Sequence, residues 1–362
     1  MIIQFDALKV GKGDSFLLQA DTKFYLFDGG EYYGQVTGFL KQKGIVDIDI
    51  VICSHNDSDH TNGLIGLLES HISVREVWLP ATWRDFLVTA AKKECWPASL
   101  LEELIFPPDE LPERYEAIVG GDFTPELDKE YIEETSEDDC LTGILAKFAD
   151  LECTYIPHTL LCGYLELPPH FLNNIIIAGE KIIKIVKCAW DRGCHIRFFQ
   201  YLSSGNPHRR KVYETKFIPL NCREISKIRK YKRISDALFL TLVNKESLVF
   251  QYDGGDNCIV FTADSNFKFL DKTMPLPPAI VTAPHHGASD NAKVYSMFSV
   301  DNIVWVRSDS KNPDRPCMEY ISQKTRYCTI CNNGNLPKQA VVIQWDGNNW
   351  VATDETRPCR CQ

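Results

Sequence analysis

The chain has 362 residues, 44% of them hydrophobic, and no low-complexity tract, which suits one large globular domain or two modest ones. Its formal net charge of -10 argues against non-specific nucleic-acid binding by the molecule as a whole. No apolar run approaches the roughly 20 residues of a membrane span, and the start Met1-Ile2-Ile3-Gln4 lacks a basic n-region, so the expectation is a cytoplasmic protein with no membrane partner.

In chain order, apolar alternation predicts strands over 2–8, 15–19 and 24–27, the last halting at Asp28-Gly29-Gly30. A helix is predicted over 33–43 and a buried strand over 48–52. That strand opens into Ser54-His55-Asn56-Asp57-Ser58-Asp59-His60, which holds four metal-binding side chains within six positions. In a turn, His55 and Asp57 can converge on one cation while Asp59 and His60 serve a second a few Å away. A helix follows from Gly63. A strand end that opens into a ligand-rich loop and then a helix is where α/β folds place chemistry.

Beyond Pro80 the pattern changes. Residues 82–235 mix helical stretches, prolines and charge blocks, which reads as an insertion or cap. Acidic residues dominate from 101 to 140 and are expected to form a solvated face. Basic residues dominate from 207 to 233, including Arg209, Arg210, Lys211, Lys227, Arg229 and Lys230, with Tyr213 and Tyr231 interleaved. This stretch is either a solvated face or a guide for a phosphate-rich substrate, a nucleic acid or nucleotide. Arg192, Arg197 and His208 have the chemistry for phosphate contacts. His195 is either a strand residue in a cap hairpin or a group that completes a metal site or polarises a leaving group. The insertion is also a place where a protein partner would bind.

Regular strand-like runs return at 237–242, 247–250, 258–261, 279–281 and 303–306. Two strand-rich halves around an irregular middle suggest a two-layered sheet sandwich with outer helices. Of the fourteen cysteines, Cys53, Cys188 and Cys258 sit in apolar contexts as small hydrophobes. Cys328 with Cys331, and Cys359 with Cys361, frame an expected hairpin over 341–352 that turns at Asp346-Gly347. Brought together, the two pairs would make a tetrahedral thiolate site for a structural zinc; unlinked free thiols are the alternative.

Several motifs in order resemble the metallo-β-lactamase fold. They are Val10-Gly11-Lys12-Gly13-Asp14-Ser15, Leu26-Phe27-Asp28-Gly29-Gly30, the His55–His60 run, Asn244-Lys245-Glu246-Ser247, Phe261-Thr262-Ala263-Asp264-Ser265 and Pro284-His285-His286-Gly287. The closest branch resembles the metallohydrolase domain of ComEC-type DNA-uptake competence proteins and the phosphorylcholine esterases. One departure is Ala263, where the family carries glycine. The resemblance implies an α/β fold, an αββα sandwich, with its first half at 1–81, an insertion at 82–235, its second half at 236–310 and a cysteine-containing extension at 311–362.

By the same resemblance, His55 and Asp57 serve one divalent metal, Asp59 and His60 the other, and Asp264 bridges both. The adjacent His285 and His286 then complete one metal each. Asp59, Asp264 and Asp28 form the implied catalytic set, Asp28 by holding a ligand histidine or the metal loop, or else by capping a turn. Asp57 stands where relatives carry a second histidine. The more oxygen-rich site that results admits manganese beside zinc. The implied reaction is hydrolysis by a hydroxide bridging two metals. A phosphodiesterase or nuclease is the leading expectation. A hydrolase of a small ester, lactone or phosphorylcholine-like group is the first alternative, and a metal-stabilised partner-binding subunit the second.

Overall fold

The computed structural model describes residues 2–93, 95–105, 137–149, 169–204, 216–226, 228–243, 246–299, 302–308, 315–331 and 337–362. Its first six strands are β1 (Ile3–Ala7), β2 (Phe16–Ala20), β3 (Lys23–Phe27), β4 (Asp47–Ile52), β5 (Ser73–Pro80) and β6 (His195–Tyr201). Next come β7 (Phe217–Pro219), β8 (Cys222–Glu224), β9 (Phe250–Asp253), β10 (Cys258–Phe261), β11 (Met274–Pro275) and β12 (Ala279–Thr282). The chain closes with β13 (Phe298–Ser299), β14 (Ile303–Arg307), β15 (Arg326–Cys328), β16 (Val341–Trp345) and β17 (Trp350–Ala352). One sheet runs β17-β16-β1-β2-β3-β4-β5-β6-β8 and the other β15-β14-β12-β10-β9-β7.

The period-2 alternation of a strand divides its residues between two cores. On β3, β4 and β5, Leu26, Val51, Val77 and Leu79 face one way, into a layer of helices. Their neighbours Tyr25, Phe27, Ile50, Ile52 and Trp78 face the other way, into the second sheet. The second sheet repeats the division: Ile259, Phe261, Ile280, Val304 and Val306 point inward, whereas Val260, Val281 and Trp305 point to an outer layer with Val294 and Tyr320. Phe27 stacks on Phe261 across the sheets, with ring centroids 4.8 Å apart. The result is a helix–sheet–sheet–helix sandwich, the fold class implied by the motifs.

Helix Ser58–Leu68 seats Leu64, Leu67 and Leu68 on the first sheet. Helix Pro169–Asp191 seats Ile175, Ile182, Ile185 and Ala189 there at helical spacing. Full burial of such a side chain contributes about 1.5–3 kcal/mol. None of the helices among the described residues is long and apolar enough to cross a membrane.

Three sequence expectations are corrected. Residues 237–242 are not a strand: Ile234–Phe239 is an α-helix and Leu240–Leu242 a 3-10 turn. All six residues of that helix are buried, so the run shows neither the alternation of a strand nor an amphipathic stripe. The run over 247–250 becomes a strand only from Phe250. The stretch after 192 is no cap hairpin, because β6 pairs parallel with β5 and extends the first sheet. At the other end, β16 pairs with β1 and β15 with β14, so the tail is woven into both sheets. Most of the acidic block, Arg209, Arg210, Lys211 and His208 lie outside the described residues.

Candidate metal centre

The site lies beyond the carboxyl ends of β3, β4, β10, β12 and β14, where each strand hands over to a loop. His55 follows β4, Asp57 caps helix Ser58–Leu68, and Asp59 and His60 occupy its first turn. Asp264 follows β10. His285 and His286 follow β12 with φ of 48° and 55°, a left-handed pair that aims two consecutive side chains inward. Gly13 (φ 82°) lets the loop between β1 and β2 meet the first turn of helix Ser58–Leu68, since a Cβ there would stand 1.7 Å from the Asp59 carbonyl oxygen.

Asp264 is divided between two half-sites. Its Oδ2 lies 3.6 Å from His55 Nε2 and 3.5 Å from His285 Nε2. Its Oδ1 lies 3.4 Å from His60 Nε2 and 3.8 Å from His286 Nε2. Asp57 Oδ2 is 3.7 Å from His55 Nε2, and Asp59 Oδ2 is 3.4 Å from His286 Nε2. His55, Asp57, Asp59, His60, His285 and His286 thus stand around Asp264 in two groups.

The tautomers follow from the outer partners. His286 Nδ1 stands 3.0 Å from both Asp14 Oδ1 and the Ser308 carbonyl oxygen; since that carbonyl only accepts, Nδ1 carries the proton. His60 Nδ1 donates to Asp28 Oδ2 at 2.8 Å. The Ser54 hydroxyl donates to Asp28 Oδ2 at 2.7 Å, so its oxygen accepts from His55 Nδ1 at 2.8 Å. Each Nε2 is thereby left to present a lone pair to the interior. His55 Nε2, His60 Nε2, His286 Nε2 and Asp264 Oδ1 are buried and have no hydrogen-bond partner. Orphaned buried donors and acceptors are costly, and cations at this point would satisfy all four. The residues fit a pair of divalent ions.

Electrostatics agree. Burial pushes the Asp264 carboxyl up, but the facing His60, His286 and His55 outweigh it and hold it well below the carboxylate range. Asp57 and Asp59 are likewise lowered against burial, by His55 and by His286 with His60 respectively. Burial draws His60 and His286 down, yet the carboxylates around them raise both well above the usual imidazole value. Divalent cations would replace those protons.

Residues 8–127 match the metallo-beta-lactamase superfamily. This stretch carries a metallo-beta-lactamase superfamily domain. The match covers the Asp14, Asp28 and His55–His60 loops, while Asp264 and His285-His286 come from beyond it. A search of curated proteins gives no match. The superfamily match over residues 8–127 and the clustered His and Asp side chains are together consistent with a metal-dependent hydrolase.

Three further residues support the His and Asp site. Asp14, within the Val10–Ser15 motif, fixes His286. Lys181, on helix Pro169–Asp191, donates to the Asn56 carbonyl oxygen at 2.6 Å, to Ser58 Oγ at 3.2 Å and to Thr61 Oγ1 at 3.3 Å. It pins the metal loop from above. Arg315 Nη2 donates to His285 Nε2 at 3.0 Å, which sets a guanidinium at the edge of one half-site.

The Asp28 side chain is fully buried and its carboxylate accepts from Ser54 and His60, so it acts through a ligand. The two arginines with the chemistry for phosphate contacts both have protein partners. Arg192 donates to the Leu68, Ser70 and Ile72 carbonyl oxygens and closes the end of helix Ser58–Leu68. Arg197 pairs with Glu76 and Glu224 at 2.9 Å each. His195 points to solvent near Glu76, 3.9 Å away, and not into the ligand cluster. Arg229 and Lys230 are described, and Arg229 lines a separate cavity with Gln200, Arg223 and Ile228, whereas Lys227 lies outside the described residues. A second cavity opens beside His55 and is lined by Thr82, Trp83, Tyr201, Glu246 and Leu248.

Proposed function

We propose that this chain is a binuclear metal-dependent hydrolase of phosphodiesters, with a nucleic acid or nucleotide as the substrate class. The observation that carries the reading is the split of Asp264 between two sets of inward-facing histidine Nε2 atoms. His55, Asp57 and Asp264 would hold one ion, joined by His285 once its Nε2 leaves Arg315, and Asp59, His60, Asp264 and His286 the other, as zinc or manganese. Bound there, the ions supply Lewis acidity and acidify water at neutral pH. Asp28, Ser54 and Asp14 keep the imidazoles aimed, so no reorganisation is needed as charge develops. Arg315 supports an anionic substrate, because a planar guanidinium matches two oxygens of a phosphate.

A second reading, hydrolysis of a small ester or lactone, is favoured by the partly apolar cavity beside His55 and by the net charge of -10. One panel separates the two: single-stranded DNA, RNA, cyclic nucleotides, a generic phosphodiester and a lactone, each with zinc or manganese. The phosphodiesters are expected to turn over, with activity lost in His55→Ala and the KM raised in Arg315→Ala. Turnover of the lactone alone would move the assignment to the second reading. Well-folded protein that neither binds metal nor hydrolyses anything in the panel would remove both.

A further inference from the structure

Away from the His and Asp cluster, the chain gathers a second set of soft ligands. Cys328 ends β15, Cys331 follows three residues later, and Cys359 and Cys361 return on the last residues of the chain. All four are buried, and their sulfurs lie within 4.8 Å of one another. The tail is brought there by the sheet: Cys359 N–H donates to the Arg326 carbonyl oxygen at 2.9 Å, and Tyr327 bridges to Pro358.

We propose that Cys328, Cys331, Cys359 and Cys361 bind one zinc ion as a tetrathiolate centre that fastens the C-terminal tail to the second sheet. The dimensions suit it. A zinc–sulfur bond of about 2.3 Å puts tetrahedral sulfurs roughly 3.8 Å apart. The 3.1 Å between Cys328 and Cys331 and the 4.0 Å between Cys328 and Cys361 bracket that spacing. The surroundings favour thiolates. Arg360 N–H donates to Cys331 Sγ at 3.3 Å and Cys361 N–H to Cys359 Sγ at 3.4 Å. Arg307, only 1% exposed, reaches Cys361 Sγ with Nη1 at 3.9 Å.

The charge is partly offset as well. Zinc and four thiols give a centre of net charge -2 with release of four protons, and the single buried guanidinium beside it offsets half of that charge. Four thiolates are soft ligands that select zinc over manganese, so the two centres sort metals by chemistry. One structural clamp with no open position is the outcome, distinct from the His and Asp site.

The test uses the full chain. His55→Ala with Asp264→Asn, which dismantles the other site, is expected to retain one equivalent of zinc. A thiol-specific mercurial should release that zinc, read by a chromogenic chelator. Cobalt-substituted wild type should show the thiolate-to-cobalt charge-transfer absorption, lost in Cys328→Ser with Cys331→Ser. Because the cysteine variant can fail to fold, the wild-type cobalt spectrum stands as an independent measurement. Absence of zinc from the His55/Asp264 variant together with no charge-transfer band in wild type would overturn the proposal. So would disulfides joining these cysteines in unreduced protein. Neither result bears on the hydrolase assignment, which rests on the other ligand set.

Discussion

Asp28 accepts three hydrogen bonds on two oxygens, from the Ser54 N–H, the Ser54 hydroxyl and His60 Nδ1. An amide of the same shape accepts on one atom only and turns a donor toward the others. Asp28→Asn is therefore expected to cost about 10–100-fold in metal affinity or turnover while leaving the ligands in place. Metal titration and kcat measure it, and a change under twofold would show that His60 is held by packing alone. Asp85 poses a different residue-scale question. Burial raises its carboxyl to about 7, although the Arg229 N–H and Arg84 pull it down. The folded pKa exceeds the unfolded 3.8, so this group's stability contribution is complete below 3.8 and is lost as pH climbs toward 7. Asp85→Asn keeps an acceptor for the Arg229 N–H at 2.9 Å and cannot ionise. It should stabilise the fold by a few kcal/mol at pH 8, on the order of 1.4 kcal/mol for each pKa unit, and by little at pH 4. Thermal unfolding at the two pH values decides it; equal midpoints throughout would contradict the account. The His55–His60 run was legible in the sequence because four of its ligands share one loop. Arg192 and Arg197 were not, because the acceptors of Arg192 and the Glu76 partner of Arg197 sit about 120 residues away in the chain and only the fold brings them within reach.

At the scale of elements, the site is held between loops that no single helix or strand controls. Helix Pro169–Asp191 belongs to the stretch read as insertion, yet its Lys181 reaches the Asn56 carbonyl oxygen, and Asn56 Nδ2 donates back to the Ala178 carbonyl oxygen at 3.3 Å. The stretch was read only as part of an irregular insertion, and the periodicity of a helix reports a buried face and not what that face holds. Lys181 sits on the buried side, 8% exposed, where a lysine needs partners. The error over 237–242 has the same root, since a continuous apolar run fits a buried strand or a buried helix equally. Lys181→Met should leave the Asn56 carbonyl without its donor at a cost of about 1–3 kcal/mol in stability. It should also loosen the metal loop, so that metal affinity falls roughly 10-fold or more. Calorimetry and metal titration separate the two effects. A loss of stability with unchanged metal affinity would confine Lys181 to packing.

Across the whole molecule, the two ligand sets meet at the end of β14. Arg307 donates through Nε to the His286 carbonyl oxygen at 2.8 Å and through Nη1 toward Cys361 Sγ, while the next residue, Ser308, offers its carbonyl oxygen to His286 Nδ1. The same side chain packs against Gly287, where a Cβ would stand 3.4 Å from Arg307 Cδ. His285 and His286 occupy left-handed backbone that costs on the order of 1–3 kcal/mol per residue and persists only when neighbours hold it. Arg307 is one of those neighbours. The tail cysteines, β14 and the histidine loop therefore form one mechanical unit, although they are separated in sequence. Arg307→Met keeps the volume of the stem and removes the guanidinium donors. It is expected to leave the four sulfur ligands in place but hold zinc less tightly, because the thiolate centre loses its buried cation, and to lower metal-dependent turnover about 10-fold as the His286 carbonyl loses its anchor. Zinc content and kcat measured on the same preparation check the two halves together. Full activity in a well-folded Arg307→Met protein would mean that the histidine pair is held by Asp14 and Ser308 alone, and that the tail and the hydrolytic centre are mechanically independent.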